Sequence, residues 1–318
     1  MDKKKNKSDK NNEKTNDLNK IPNIIDTNDL WKLWENREVI IPETQFSIKG
    51  FSVAALRTNF FIKELGLMLD AGLSSPNYAI DYIFITHCHS DHTANISFHI
   101  YAARENSNKM QLYAPKESCE NIKKYIISAY KMSCDIDDSL KDDELYVHRF
   151  FNMNPVTSND IIDLVIKNKK ISVEIIKCFH SVPCVGYGLI EKRIKLKEEY
   201  LKLSGKEIGD LRKKGVEINI EKEYPFLCFL GDTSKEIFSE EKLKKYRTIM
   251  IECTFLYEDD LEQADKTCHM HWKYLEDYIK SNPNQMFILY HFSQRYKKKE
   301  VAEFFEKVEL KNIIPWID

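Results

Sequence analysis

The sequence DYIFITHCHSDH, residues Asp81–His92, decides the fold and the kind of site in this chain. The apolar stretch Tyr82–Thr86 predicts a short buried strand, and three imidazoles and a carboxylate follow within six residues. Because such a polar cluster is costly to desolvate without a cation, the segment predicts a metal centre at the end of the strand. In an extended segment His87 and His89 point to one side and Cys88 to the other, which argues against Cys88 as a ligand.

Further ligands are expected from other parts of the chain. Asp91 and His92 follow the turn and could serve a second ion about 3.5–4 Å from the first, as in two-metal hydrolases. Three other polar residues each come at the end of an apolar strand, where ligands are held rigidly: His180, Asp232 and His291. A single histidine in such a place is more often a core residue, but three placements after one H-x-H-x-D-H loop favour ligation. His99 and His148 lack this context and are interpreted as structural or surface residues.

Composition places the chain among globular proteins. Its 318 residues are 42% hydrophobic and 12% aromatic, with a net charge of -2. Bulk basicity is therefore excluded as the basis of nucleic-acid binding, which would need a local patch. The sequence has no apolar run of roughly 20 residues and no secretory signal. Its eight cysteines lack a C-x-x-C pair. We therefore expect reduced thiols in an intracellular protein of the cytoplasm or nucleus, not secreted and not in a membrane.

The chain divides into a tail and one domain. Residues 1–21 are rich in Lys and Asn and predict a disordered tail, whereas residues 22–318 predict one domain of α/β class. The predicted strands are Phe46–Ala55, Phe60–Leu69, Tyr82–Thr86, Ile171–Phe179, Phe226–Leu230, Ile249–Ile251 and Met286–Tyr290. The predicted helices are Asn121–Met132, Trp272–Lys280 and Lys298–Val308.

The order H-x-H-x-D-H, followed by isolated His, Asp and His, resembles the metallo-β-lactamase superfamily. Within it, the chain is similar to ribonuclease Z (tRNase Z), the tRNA 3′-processing endonuclease, in its short, plant-like form. The stretches that carry the resemblance are His291–Tyr296 (HFSQRY), Gly231–Ser234 (GDTS), Ile251–Thr254 with Cys268-His269, and the insert Lys195–Glu217. The chain has Ile251 where the family usually has His. It has Cys268-His269-Met270-His271 where the family has Gly-His-Ser-Thr, which leaves His269 and His271 as alternatives for one role, with His269 preferred.

The resemblance implies a fold, a metal centre and catalytic residues. The fold is an αββα sandwich of two mixed sheets with outer helices, and Asp70 supports the metal loop from behind. Two Zn²⁺ ions are implied, with Mn²⁺ as an alternative. The implied ligands are His87, His89 and His180 for one ion, Asp91, His92 and His291 for the other, and Asp232 as the bridge. The implied catalytic residues are Asp91, Glu252 and His269.

The basic insert, residues 192–222, is the predicted RNA-binding element. It contains ten Lys and Arg against six Asp and Glu in a chain that is otherwise slightly acidic. In the family this insert is an exosite that grips the tRNA elbow, and one subunit of a homodimer presents it to the other. The chain is thus expected to bind precursor tRNA as a homodimer, although a solvated helix of mixed charge is the alternative. The predicted RNA-binding residues are Lys195, Lys197, Lys206, Arg212, Lys213 and Lys214.

Other functions are also compatible with these residues. The same metal ligands would serve another phosphodiesterase, a thioester hydrolase or a DNA-directed nuclease of the superfamily. The departures around Ile251 and Cys268 instead favour a catalytically inactive, metal-containing RNA-binding protein.

Overall fold

The computed structural model describes residues 37–75, 79–102, 109–137, 141 and 145–318. The predicted disordered tail, residues 1–21, lies outside these ranges, as do residues 22–36 of the predicted domain.

Two seven-stranded sheets form the centre of the structure, and in each the strands lie side by side in chain order. The first sheet consists of β1 (Glu38–Ile40), β2 (Ser47–Val53), β3 (Arg57–Ile62), β4 (Leu67–Leu69), β5 (Tyr82–Phe84), β6 (Met110–Pro115) and β7 (Phe151–Val156). The second consists of β8 (Ile161–Ile166), β9 (Lys169–Lys177), β10 (Val185–Leu196), β11 (Asn219–Phe229), β12 (Thr248–Glu252), β13 (Met286–Tyr290) and β14 (Ile313–Pro315). In both sheets the first three strand contacts are antiparallel and the last three are parallel.

The helices lie mainly on the outer faces of the sheets. Those of the described residues are α1 (Ser90–Thr93), α2 (Ile96–Ala102), α3 (Cys119–Cys134), α4 (Gly205–Lys213), α5 (Leu261–Thr267), α6 (Trp272–Ser281) and α7 (Lys298–Glu306). Their buried apolar residues recur at a spacing of four, as in Ile122 and Ile126 of α3 and Leu275 and Ile279 of α6. This spacing gives α3 and α6 one apolar stripe each to pack on a sheet.

Three hydrophobic clusters fill the layers between these elements. The central cluster joins the sheets through large aromatic residues, including Phe60 and Phe84 from the first sheet and Tyr187 and Phe229 from the second. A second cluster packs α2 and α3 on the outer face of the first sheet, and a third packs α6 and α7 on the second. The structure therefore confirms the predicted αββα sandwich of two mixed sheets with outer helices.

Several predicted elements need correction at their ends. The predicted strand Phe60–Leu69 is wrong as a single element, because a short 3-10 turn and a left-handed Gly66 (φ 57°) fold it into the antiparallel pair β3 and β4. The predicted strand Phe226–Leu230 is only the end of the eleven-residue strand β11. By contrast, Met286–Tyr290 is confirmed at both ends as β13.

The basic insert, which we call the arm (residues 192–222), extends the antiparallel pair β10 and β11 beyond the sheet. Along the chain, helix α4 comes between the two strands of the arm. It begins after Ser204, whose hydroxyl accepts a hydrogen bond from the backbone N–H of Glu207, while the Glu207 carboxylate accepts one from the N–H of Ser204. This capping box satisfies the free N–H groups at the start of the helix. The arm is thus a β-ribbon with a nine-residue helix, α4, which has mixed charge and no buried residue, so the alternative of a solvated helix stays open for it.

Across the described part of the chain, no helix combines the length and the apolar character needed to cross a membrane.

Candidate metal centre

The predicted ligands meet at one edge of the sandwich, where strands from both sheets end. His87 follows β5 of the first sheet, while Asp232 and His291 follow β11 and β13 of the second. His180 lies in the turn that joins β9 to β10. Because β11, β12 and β13 are parallel, their carboxyl ends share this edge, and the central aromatic cluster holds it against the end of β5. Residues far apart in sequence therefore form one site.

One group of ligand atoms comes from His87, His89, His180 and Asp232. Nδ1 of His89 lies 3.2 Å from Nε2 of His87 and 3.2 Å from Nε2 of His180. Oδ2 of Asp232 lies 3.6 Å from Nε2 of His87. All four ligand atoms lie within 4.8 Å of one another, so together they could hold a metal ion.

A second group comes from Asp91, His92 and His291. Nε2 of His291 lies 3.3 Å from Nε2 of His92 and 3.3 Å from Oδ2 of Asp91. All three residues are buried, and their ligand atoms lie within 4.8 Å of one another. The side chain of Asp91 is oriented by the backbone N–H of Ala55, which donates to Oδ2 over 2.9 Å.

Asp232 lies between the two groups. Oδ2 faces His87 and also lies 3.5 Å from Nε2 of His291, whereas Oδ1 lies 3.5 Å from Nε2 of His92. Burial alone would raise the pKa of Asp232, but the imidazoles of His291, His92 and His87 hold that pKa well below its usual range. Oδ1 is buried and finds no hydrogen-bond donor in the described part of the chain. A buried, ionised carboxylate oxygen among imidazole nitrogens fits the chemistry of a cation site.

The hydrogen bonds behind the metal loop, residues 87–92, fix the tautomers of His87 and His92. Asp70 is completely buried, and its Oδ2 lies 2.7 Å from Nδ1 of His92. Asp70 also accepts bonds from the backbone N–H and the hydroxyl of Thr86, and that hydroxyl lies 3.0 Å from Nδ1 of His87. Since each Nδ1–H donates to an oxygen, Nε2 of each ring keeps its lone pair for a metal. Asp70 therefore takes the supporting place that the resemblance implies.

In His180 and His291 of the second sheet, too, Nδ1 is held by an oxygen. Nδ1 of His180 lies 3.0 Å from the carbonyl oxygen of Cys268, and Nδ1 of His291 lies 3.0 Å from the hydroxyl of Thr254. The Thr254 hydroxyl in turn donates to Glu252. Nε2 of both histidines is thus free to bind a cation.

Strained backbone accompanies these contacts. Ala55, Asp70, Cys268 and His291 have left-handed φ values of 56°, 58°, 54° and 65°. Such conformations cost about 1–3 kcal/mol each in non-glycine residues and persist where the surrounding structure fixes them. Cys268 occupies the position where the related family has glycine, and its carbonyl is the one that orients His180.

His269 and Glu252 form a pair at the wall of the site. Nδ1 of His269 lies 3.0 and 3.1 Å from the two carboxylate oxygens of Glu252, which also accepts a 2.7 Å bond from the backbone N–H of Thr233. Burial would lower the pKa of His269, but the charge and hydrogen bonds of Glu252 outweigh it and raise that pKa to about 9. The contact with Glu252 therefore favours the protonated imidazole, which is the state of a proton donor.

His271, the alternative to His269, faces elsewhere. Its Nε2 donates to the carbonyl of Tyr257 over 2.8 Å, and its Nδ1 accepts the backbone N–H of Lys273 at the start of α6. Both ring nitrogens are thus engaged in holding a loop and a helix end, away from the cluster of ligand atoms.

The ligand atoms open onto a cleft of about 430 Å³. His89, Asp91, Asp232, His269 and His291 line it, together with Phe255 and Gln294. Cys88 is instead half-buried and packs against the second hydrophobic cluster, the one beneath α2 and α3. This is the side that the alternation of the segment predicts. His99 is buried and donates to the carbonyl of Leu73, which fits its interpretation as a structural residue.

The basic residues of the arm fall into two sets. At its root, Lys192, Arg193 and Lys222 form ion pairs with acidic neighbours. The predicted RNA-binding residues make no ion pair with any described residue, and all of them except the half-buried Lys197 are exposed: Lys195, Lys197, Lys206, Arg212, Lys213 and Lys214. None of them is among the ligand atoms of the metal cluster or the residues that line the cleft.

Sequence reasoning missed the residues that orient the ligands. Thr254 and Asn59 act through side-chain hydrogen bonds, and Cys268 through its carbonyl. The position of Cys268 in the family motif carried a signal for a left-handed residue. Asn59 follows Arg57 and Thr58 and precedes the predicted strand Phe60–Leu69, so the sequence carried no signal of its burial.

Solved structures with this architecture define the class. The metallo-β-lactamase fold protein YhfI from Bacillus subtilis has a TM-score of 0.53 at 13% identity, covering 85% of this chain and 95% of that one. The short form of human tRNase Z has a TM-score of 0.51 at 15% identity, with 85% and 95% covered. Identities this low indicate the fold alone. With the two mixed sheets and the H-x-H-x-D-H loop, they define a protein of the metallo-β-lactamase fold.

Named relatives narrow the class further, although no family model matches the chain. The tRNase Z TRZ1 of Arabidopsis thaliana is 30% identical over 267 residues, which cover 81% of this chain and 89% of that protein. The chloroplastic tRNase Z TRZ2 of the same plant is 28% identical over 274 residues, or 84% and 73% of the two chains. This chain belongs to the tRNase Z family.

Proposed function

We propose that the protein is a metal-dependent endoribonuclease that removes 3′ trailers from precursor tRNA. The products are a tRNA with a free 3′-hydroxyl and a trailer with a 5′-phosphate. The observation that carries this proposal is the placement of the His269 ring, bonded to Glu252, on a cleft that is also lined by the candidate ligands His89, Asp91, Asp232 and His291. Such a cleft combines electrophilic assistance with a proton donor, which is what hydrolysis of a phosphodiester requires.

The seven candidate ligands are enough to bind two cations. His87, His89 and His180 would hold one and Asp91, His92 and His291 the other, with Asp232 shared between them. Imidazole and carboxylate donors suit Zn²⁺, and the oxygen share also admits Mn²⁺. When bound, such ions lower the pKa of a water and offset negative charge on the phosphate.

Two side chains of the protein would then donate and accept the protons of the reaction. Hydrolysis breaks the bond between phosphorus and the 3′ oxygen of the tRNA, so that oxygen needs a proton as it leaves. Because Glu252 holds Nδ1 of His269, Nε2–H of the ring would supply it. Asp91, fixed by the N–H of Ala55, would accept a proton from the attacking water as well as hold a metal.

The arm supports the choice of substrate. Its exposed basic side chains, from Lys195 to Lys214, match the phosphate backbone of a folded RNA, which is bound through shape and charge. We also propose a homodimer in which each arm serves the cleft of the partner. Phe98, Tyr125 and Met132, exposed on α2 and α3, offer apolar surface for such an interface. This substrate implies an intracellular location, in the cytoplasm or nucleus.

The proposal is tested by cleavage of a precursor tRNA that carries a 3′ trailer, with both new ends mapped. We expect a cut just after the discriminator base that is abolished by a chelator and restored by Zn²⁺ or Mn²⁺. Two bound metals without cleavage would overturn the tRNA assignment in favour of another phosphodiester or a thioester. Neither metal nor cleavage would leave an RNA-binding protein without activity.

A further inference from the structure

Asn59 is a completely buried amide in β3 that touches no candidate ligand. Its Nδ2 lies 3.1 Å from the carbonyl oxygen of Asp70 and 3.1 Å from that of Leu73. Both hydrogens of the amide are thereby used on one short backbone segment, residues 70–73. This segment has the left-handed residue Asp70 at its start.

The segment held by Asn59 is tied to the metal loop by other bonds. The backbone N–H of Ala71 donates to the carbonyl of His92 over 2.7 Å, and the N–H of Asp70 donates to that of Phe84 over 2.9 Å. From the same segment the Asp70 carboxylate reaches Nδ1 of His92 over 2.7 Å. The position of Nε2 of His92 therefore depends on where this segment lies.

Asn59 is costly at its position. Amides are unfavourable in strand interiors, and Oδ1 of Asn59 is buried with no donor among the described residues. The hydrogen bonds of Nδ2, to the two carbonyl oxygens and to Sδ of Met68 over 3.3 Å, offset this cost. An apolar residue of the same size would suit the core better, but the carbonyl of Asp70 would lose the N–H of Asn59 and the carbonyl of Leu73 would keep only the bond from His99.

We propose that Asn59 is a positioning residue for the metal centre, acting through residues 70–73 on Asp70 and then on His92. The inference rests on the proposed function, because it assumes that His92 binds a metal. Supporting residues of this kind affect metal affinity by roughly 10–100-fold when they are removed.

The chain offers a matched control. Gln285 is also a buried amide whose Nε2 donates to two carbonyls, those of Leu243 and Tyr246, over 2.8 and 2.6 Å, while its Oε1 lacks a partner in the described residues. It precedes β13, at the end of that strand opposite His291. Loss of this amide affects stability in the same manner but cannot act on His92.

The experiment compares Asn59→Leu with Gln285→Met in the full chain. Zinc affinity is measured with Zn²⁺ alone by competition with a chromophoric chelator, and thermal unfolding is measured alongside. We expect both variants to unfold at lower temperature, and only Asn59→Leu to lose zinc affinity, by roughly 10–100-fold. Equal zinc affinity in Asn59→Leu and the wild type would overturn the proposal, as would equal losses in both variants.

Two further measurements keep the test decisive. If Asn59→Leu does not fold, Asn59→Ser, which keeps one donor, replaces it and should bind zinc with intermediate affinity. The absorption spectrum of bound Co²⁺ should change in the Asn59 variant and not in the Gln285 variant, because the spectrum reports ligand geometry. A wild-type chain that binds no zinc would instead refute the proposed metal centre, so the two failures are distinguishable.

Discussion

Nδ1 of His269 lies 3.0 Å from Oε1 of Glu252, and that oxygen also accepts the backbone N–H of Thr233, next to Asp232. One buried carboxylate thus orients both the His269 ring, the proposed proton donor, and the loop that carries the candidate ligand Asp232. A single side chain therefore links the positions of these two residues.

This relationship predicts that His269→Ala lowers the single-turnover rate of precursor tRNA cleavage by about 10²–10⁴-fold, the usual contribution of a general acid. Zinc content should stay at the wild-type value, because His269 is not among the proposed ligands. Rate and metal content are measured on the same preparation. His271→Ala is the control, and it should lower the unfolding temperature with little effect on the rate. A full rate in His269→Ala would remove that residue from the mechanism.

Gly72 is predicted to be essential for the metal loop. A Cβ atom there would lie 1.7 Å from the carbonyl oxygen of Asp91, a backbone atom that cannot yield without displacing the loop. Gly72→Ala should therefore lose zinc and destabilise the fold by about 1–3 kcal/mol or more. Gly209→Ala, in α4, is the matched control, because a Cβ there meets nothing within 4 Å. Metal analysis and thermal unfolding of both variants decide the question, and a fully metallated Gly72→Ala would contradict it.

Charge reversal at Arg212, Lys213 and Lys214 is predicted to separate RNA binding from chemistry. The three side chains are exposed on α4 and its carboxyl end, away from the cleft. Replacing them by Glu should weaken binding of precursor tRNA and reduce the slope of log affinity against log salt by about 3, one unit per lost phosphate contact. Hydrolysis of bis(p-nitrophenyl) phosphate by the same variant serves as the control and should be unchanged. Equal losses on both substrates would count against the arm as an RNA-binding element.

His99 is predicted to set part of the acid sensitivity of the fold. Burial lowers its pKa from 6.5 to about 4, partly opposed by its hydrogen bond to the carbonyl of Leu73. Between pH 4 and pH 6.5 this histidine is protonated in the unfolded chain and neutral in the native chain. Its contribution to the free energy of unfolding is therefore complete above pH 6.5. It is lost as the pH falls to about 4, with a magnitude on the order of 3 kcal/mol.

The measurement for His99 is the free energy of unfolding from pH 7 to pH 4, compared between the wild type and His99→Asn. The variant cannot titrate, so the difference in stability between the two proteins should change over this interval. Parallel curves would show that His99 does not carry the effect.

The parts of the fold that could be predicted from sequence are those with a local signal. Met286–Tyr290 is a continuous apolar run with polar residues on both sides, and its ends were therefore visible. The turn at Gly66 does carry a sequence signal, because Lys63 and Glu64 interrupt the apolar run and a glycine follows. The prediction missed it because the interruption is short and Leu65 within it is buried and apolar.

The same distinction applies to the site. The ligands His87, His89 and Asp91 stand close together in sequence, and their spacing alone indicated a metal loop. The residues that orient them, such as Asn59 and Thr254, act across contacts that only the folded chain creates. The preference for His269 over His271 stays a prediction, and the direction that each ring faces supports it.

Asp91 and His291, whose ligand atoms lie 3.3 Å apart, are separated by 200 residues of chain. At about 5–20 residues per second, a ribosome needs roughly 10–40 s to pass from one to the other. During that interval the first sheet presents a half-built site whose histidines lack their partners from the second sheet. The proposed site can therefore be completed only after the last strands of the second sheet have emerged.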